Sequence, residues 1–180
     1  MHRIFVALRP PLAMREALLA LRTGLPGARW QTDEQLHLTL RFVGEVDRPE
    51  AEDVAAALGT VDGPAPQIAL SGVGTFEHRG AVHTLWAGVR RNDALKLLHD
   101  RIERALRGVG IVPDPRAFHP HISIARFGRH APDLTAFLVQ HAALSSALMP
   151  IDHMLLFESE LGSAGPRYFA IARYPLTVDQ

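Results

Sequence analysis

His37-Leu38-Thr39-Leu40 and His121-Ile122-Ser123-Ile124 are two copies of one pattern: histidine, aliphatic, small hydroxyl residue, aliphatic. Strict alternation of polar and apolar residues predicts half-buried β-strands whose successive side chains point to opposite faces. Leu38, Leu40, Ile122 and Ile124 then turn inward, while His37 shares the outer face with Thr39, and His121 with Ser123. An imidazole titrates nearer neutrality than any other side chain, so a facing pair can hold one neutral base and one protonated acid. Metal-free proton transfer needs no more than that. A lone His-x-Thr carries little information, but two copies nearly half a chain apart, each in an alternating strand, carry far more.

The elements around these motifs read as follows. Arg3 to Leu8 predicts a strand ended by Pro10-Pro11, and Leu12 to Leu21 carries leucines at helical spacing before Gly24 and Pro26. Trp30 to Phe42 holds a turn at Asp33-Glu34 and the first histidine strand, which ends at Gly44. Pro49 to Leu58 predicts a helix with proline near its start, and 62–66 is a break. Ile68 to Val73 and Thr84 to Val89 read as strands flanking the loop His78-Arg79-Gly80. Asp93 is the expected N-cap of an amphipathic helix running to about Leu106, closed by Gly108, Gly110, Pro113 and Pro115. A helix is expected over Leu134 to Leu148, and strands over Met154 to Glu158 and Tyr168 to Tyr174. Strands that follow one another directly favour α+β with antiparallel sheet over a doubly wound parallel fold. The expectation is one domain over residues 1–180, bilobal, with two related lobes of antiparallel sheet around a central cleft and helices outside.

The chain has 180 residues, with 19 basic residues balancing 19 acidic ones. Whole-molecule attraction to nucleic acid is therefore not indicated, and a polyanion would have to be held by a local cluster of cations. The absence of cysteine excludes disulfides and thiolate metal sites. No apolar run approaches the ~20 residues that span a bilayer. Met1 to Leu8 lacks the apolar h-region of a signal peptide, which points to a cytoplasmic protein without a membrane partner. Gly72-Val73-Gly74 lacks the third glycine of a dinucleotide fingerprint, so no nucleotide cofactor is indicated.

Arginine can supply the cation. Arg126, the fifth residue after His121, is the preferred phosphate ligand. Strict parity puts it on the face opposite His121, so it must lie at the strand end or beyond a bulge. Arg41 has the right parity with His37 and Thr39 and ranks second. Tyr168 and Phe118 are the rings on which a base could stack, whereas Phe42, Phe76, Trp86 and Phe157 read as core. His119 and His121 could chelate a metal with a third ligand, but the proline between them suits a structural turn and no carboxylate cluster is near. His78 with Arg79 reads as a solvated turn, and His99 as the solvent face of its helix.

Segments 37–45 and 118–126 carry a resemblance, joined by the opening strand 3–8, by Glu158-Ser159-Glu160-Leu161 and by Gly165-Pro166-Arg167-Tyr168. Together they resemble the two-histidine phosphoesterases, most closely the bacterial and archaeal RNA 2′,3′-cyclic phosphodiesterases, also called 2′-5′ RNA ligases. The likeness covers nearly the whole chain, and its one departure, Ser123 for threonine, keeps the hydroxyl. It implies a bilobal α+β fold, no metal or other cofactor, and hydrolysis of RNA 2′,3′-cyclic phosphate ends to 2′-phosphomonoesters. It assigns His37 as the acid that protonates the departing 3′ oxygen and His121 as the base that activates water. Thr39 and Ser123 would donate to the non-bridging oxygens, with Arg126 holding the phosphate. The residues alone do not say which histidine is the acid. The partner implied is RNA with such an end, acted on by a monomer, and the reverse 2′-5′ joining is expected to be weak. The same residues also fit a cyclic phosphodiesterase acting on a small nucleotide or a 2′-5′ oligonucleotide. A non-catalytic nucleotide- or RNA-binding module is the third reading, and two intact histidine–hydroxyl pairs count against it.

Overall fold

Arg3, Phe5 and Ala7 alternate with Ile4, Val6 and Leu8 along β1 (His2–Leu8), and this alternation separates the two faces of the molecule. Ile4, Val6 and Leu8 enter the main core, whereas Phe5 and Ala7 join a smaller cluster with Leu155 and Phe157. The computed structural model describes residues 1–163 and 165–177. After β1 come α1 (Leu12–Leu19), β2 (Arg29–Trp30), a 3₁₀ turn (Asp33–Gln35), β3 (Leu38–Val46) and α2 (Arg48–Leu58). Then follow β4 (Gln67–Ile68), β5 (Leu70–His78), β6 (Ala81–Val89), α3 (Asp93–Gly108) and β7 (His121–Arg126). The last elements are α4 (Thr135–Gln140), β8 (Met149–Pro150), β9 (His153–Gly162) and β10 (Gly165–Pro175).

Eight strands make one antiparallel sheet in the order β10-β9-β1-β3-β7-β6-β5, with β2 added beside β7, while β4 and β8 pair separately. The expected lobes are thus two halves of one sheet, and they meet at a narrow seam. Among the described residues β3 and β7 share a single ladder pair, Leu38 with Ile122, where both strands begin. From there they run apart in opposite directions, and β2 takes the vacated place, pairing Arg29 with Arg126 and Trp30 with Ala125.

Helices cover one face only. Met14 and Leu18 of α1, Val54 and Leu58 of α2 and Phe137 of α4 share a core with Leu38, Leu40, Ile122 and Ile124. Helix α3 contributes Leu95, Leu98, Ile102 and Leu106, an apolar stripe at helical spacing that turns inward as a unit. Burying each such side chain stabilises the fold by roughly 1.5–3 kcal/mol. The opposite face of the sheet is left to the histidines.

Three expectations need correction. The N-cap of α3 is Asn92 rather than Asp93, because Asn92 has extended backbone and its Oδ1 accepts from the Leu95 amide at 2.8 Å. The helix expected over 134–148 stops at Gln140. The small residues that follow bury little on a helical face, and Ser146 Oγ instead accepts from the Leu70 amide at 2.9 Å, feeding the chain into β8. Strands β5 and β6 extend to a tight hairpin, because Arg79 (φ 52) and Gly80 (φ 76) adopt the left-handed pair that such a turn requires.

Candidate active site

His37 leaves the 3₁₀ turn through Gln35. The Gln35 amide side chain accepts from the Thr32 amide at 3.0 Å and donates to the Pro166 carbonyl at 2.8 Å, tying this turn to the start of β10. The Gln35 carbonyl oxygen then lies 2.7 Å from His37 Nδ1. His121 repeats the arrangement, with Nδ1 at 2.6 Å from the carbonyl of His119, again two residues upstream. A carbonyl only accepts, so the proton sits on Nδ1 in both rings and Nε2 is the nitrogen left to react.

The Leu38–Ile122 pair sets the mutual placement. Continuing that antiparallel register by one residue each way puts His37 opposite Ser123 and Thr39 opposite His121. Each strand then departs from simple parity at the same distance from its histidine. In β3 the ladder to β1 skips Leu40, so Thr39 pairs with Ala7 but Arg41 pairs with Val6. In β7 the ladder to β6 skips Ile124, so Ser123 pairs with Trp86 but Ala125 pairs with Leu85. A bulge of this kind inserts one residue and re-aims all that follow. Both residues after each hydroxyl therefore turn into the core, and the fifth residue after each histidine returns to the site face.

That residue is Arg126 in β7 and Phe42 in β3. Both line a cavity of about 230 Å³ with His37, Thr39, Arg3, Phe5 and Tyr168, closed on one side by Ser159, Leu161 and Pro166 of the β9–β10 hairpin. Arg41 is not in it. Its side chain is 7% exposed and turns to the helical face, where it pairs with Glu103 of α3 and donates to the carbonyls of Phe42 and Val112. The expected second phosphate ligand is a buried structural cation, because the Leu40 bulge reverses its parity.

Burial pulls His37 from 6.5 down to about 4, with Arg126 and His121 pushing the same way against the opposing bond to Gln35. His121 is lowered by the same cause, burial, helped by His119 and Arg126. Arg126 thus acts on both imidazoles. Both rings are neutral at pH 7 in the free protein, and each presents an unprotonated Nε2.

The aromatic residues are placed differently from the expectation. Phe42 is 37% exposed and lies on the cavity wall. Phe76 stands edge-on to His121, centroids 4.8 Å apart, and Trp86 lies 5.0 Å from His119. Trp86 is laid over Gly74, where any Cβ would come within 2.4 Å of the indole. Phe157 is buried beside Phe5, as a core residue should be. Tyr168 packs edge-on against His37 at 5.2 Å. Phe118 faces away from this cavity and stacks on His99 at 4.2 Å, so His99 is half-buried rather than solvated. The His119 and His121 rings are 6.0 Å apart, and among the described residues no group of three or more His, Asp or Glu is placed to hold a metal ion.

Arg3, Phe42, Phe76 and Trp86 are the site residues missed from the sequence. Arg3 was readable, since it shares parity with Phe5 and Ala7 in β1. Phe42 would have followed from applying the Arg126 spacing to the first motif.

The model of the 2′-5′ RNA ligase superfamily matches residues 9–162. An RNA 2′,3′-cyclic phosphodiesterase of Aeropyrum pernix is 32% identical over 149 residues, spanning 81% of this chain and 84% of its own. A solved structure from Thermus thermophilus, TT0787, superposes with TM-score 0.81 at 25% identity, covering 99% of this chain and 100% of that one. E. coli LigT complexed with 3′-AMP shares the fold with TM-score 0.80 at 23% identity, covering 98% of each chain.

Proposed function

The chain belongs to the 2′-5′ RNA ligase superfamily, and from that premise we propose that it is an RNA 2′,3′-cyclic phosphodiesterase that opens the cyclic end to a 2′-phosphomonoester. The observation that carries this reading is the matched pair of imidazoles, each held in one tautomer by its own main chain, with Arg126 acting on both. Water attacks phosphorus from the His121 side and gives its proton to His121 Nε2. The bond from phosphorus to the 3′ oxygen breaks, and His37 Nε2 delivers a proton to that oxygen. Thr39 and Ser123 donate to the non-bridging oxygens, where charge grows in the transition state, and Arg126 balances it. The phosphodiester anion also offsets Arg126 as it enters, which draws onto His37 the proton it lacks in the free protein. Exchange with solvent then resets both rings. A 5′-hydroxyl that attacks in place of water gives its proton to His121 in the same way, His37 again protonates the departing 3′ oxygen, and a 2′-5′ linkage forms. Only its cleavage back to the cyclic phosphate runs the two roles in reverse.

The test is an oligonucleotide with a 2′,3′-cyclic phosphate end, followed by phosphorus NMR in excess chelator. Conversion to the 2′-phosphomonoester is expected. A 3′-phosphomonoester product would reverse the placement of the ribose, and absence of turnover would remove the enzymatic reading.

A further inference from the structure

Two guanidiniums line the His37 cavity, and the function proposed above uses one of them, Arg126. The second is Arg3, carried by β1 and set over the Phe42 ring with its guanidinium carbon 5.3 Å from the centroid. Both arginines are half-buried. Among the described residues neither makes a hydrogen bond or an ion pair, and the cavity wall carries no carboxylate. Partly desolvated guanidiniums ordinarily find acceptors for their five donors. The nearest candidates are otherwise disposed: Glu158 accepts from His2 at 2.7 Å, and Glu45, opposite Arg3 in the ladder, forms no ion pair with it. Both cations nevertheless line one cavity together with Tyr168, and both oppose the burial that raises the Tyr168 hydroxyl.

The direction of the reaction says what the second cation meets. With the 3′ oxygen leaving toward His37, the ribose of the terminal nucleotide lies on the His37 side, where this cavity is. Its base has Phe42 and Tyr168 to pack on, and its 5′ carbon carries the next phosphate of the strand. We propose that Arg3 binds this second phosphate, the one on the 5′ side of the terminal nucleotide, and thereby makes the site select strand ends over cyclic nucleosides that lack it. The proposal rests on the placement of the ribose in the function proposed above. It names a two-phosphate ligand, with Arg126 on the reacting group and Arg3 on the neighbouring one.

The experiment compares adenosine 2′,3′-cyclic phosphate carrying a 5′-hydroxyl with the same compound carrying a 5′-phosphate. A charge-assisted contact of this kind predicts a preference of roughly ten- to a hundredfold in kcat/KM for the phosphorylated compound. Arg3→Gln should bring that ratio to about one, whereas Arg126→Gln should slow both compounds and keep the preference. Titration calorimetry with adenosine 2′-monophosphate and adenosine 2′,5′-bisphosphate reads the same contact without turnover. If neither cyclic compound is hydrolysed but the bisphosphate binds more tightly in an Arg3-dependent way, the phosphate site stands and the proposed reaction falls. Equal affinity of the wild-type protein for both members of each pair overturns the Arg3 site. A preference that survives Arg3→Gln overturns it equally.

Discussion

Leu38 of β3 is paired with Ile122 of β7, and this one ladder pair aligns the two histidine motifs in opposite directions. Each imidazole thus stands one residue before that pair, His37 ahead of Leu38 and His121 ahead of Ile122, one on each strand. Under the proposed function the reacting groups are therefore drawn from both halves of the sheet, and neither half holds a complete set.

Loss of either imidazole should cost about 10²–10⁴-fold in the chemical step, the range for a lost proton-transfer group. Because the two act together, His37→Ala with His121→Ala should be little worse than one alone. Single-turnover rates on a cyclic-phosphate oligonucleotide check this, with circular dichroism confirming the fold. Strict multiplication of the two losses would mean that the rings act independently.

The two arginines of the motifs should separate cleanly. Arg41→Met breaks a buried ion pair with Glu103 and should cost about 3–5 kcal/mol of stability, since it strands a carboxylate. Turnover per folded molecule should persist. Arg126→Met should do the reverse, slowing turnover by about 10²–10³ with little change in stability. Urea unfolding alongside kinetics distinguishes them, and a slow but stable Arg41→Met protein would return that residue to the site.

His37, the proposed acid, is unprotonated at neutral pH in the free protein, at about 4, while His121, the proposed base, is also below 6.5. The free enzyme therefore holds the productive combination best in acid. As pH rises above about 6.5, kcat/KM should fall close to tenfold per unit, following the scarcity of protonated His37. The limb in kcat should lie at higher pH, because bound phosphate raises His37. Coincident limbs in the two profiles would contradict proton uptake on binding.

Stability should follow the same group. His37 is near 6.5 when unfolded and about 4 when folded, so between these values the unfolded chain holds more protons. Stability is full above pH 6.5 and declines as pH falls toward 4, by up to ~1.4 kcal/mol per unit from this residue. His121 adds in the same direction. Tm measured from pH 7.5 to 4.5 should slope less in His37→Gln than in the parent chain.

Much of this was legible from alternation. Leu38, Leu40, Ile122 and Ile124 are buried as their period-two pattern requires, and the histidines and hydroxyls are on the other face. The bulges at Leu40 and Ile124 were not legible, because a ladder slip depends on the partner strand and leaves no mark in the bulged residue itself. They moved Arg41 into the core and brought Phe42 out. Phe76 and Trp86 were read as core because an apolar strand residue does not reveal which face of the sheet it takes. Here the histidine face is itself aromatic.

The carbonyls that fix the two imidazoles belong to the backbone of Gln35 and His119. In sites where a carboxylate orients the histidine, one codon change can erase the orienting group. Here no side-chain replacement can, because every amino acid brings the same carbonyl. Only a rerouting of the chain two residues ahead of each motif would free the ring. The tautomer is thus insulated from point mutation, and drift at positions 35 and 119 can alter the surroundings of the site while the reactive nitrogen stays the same.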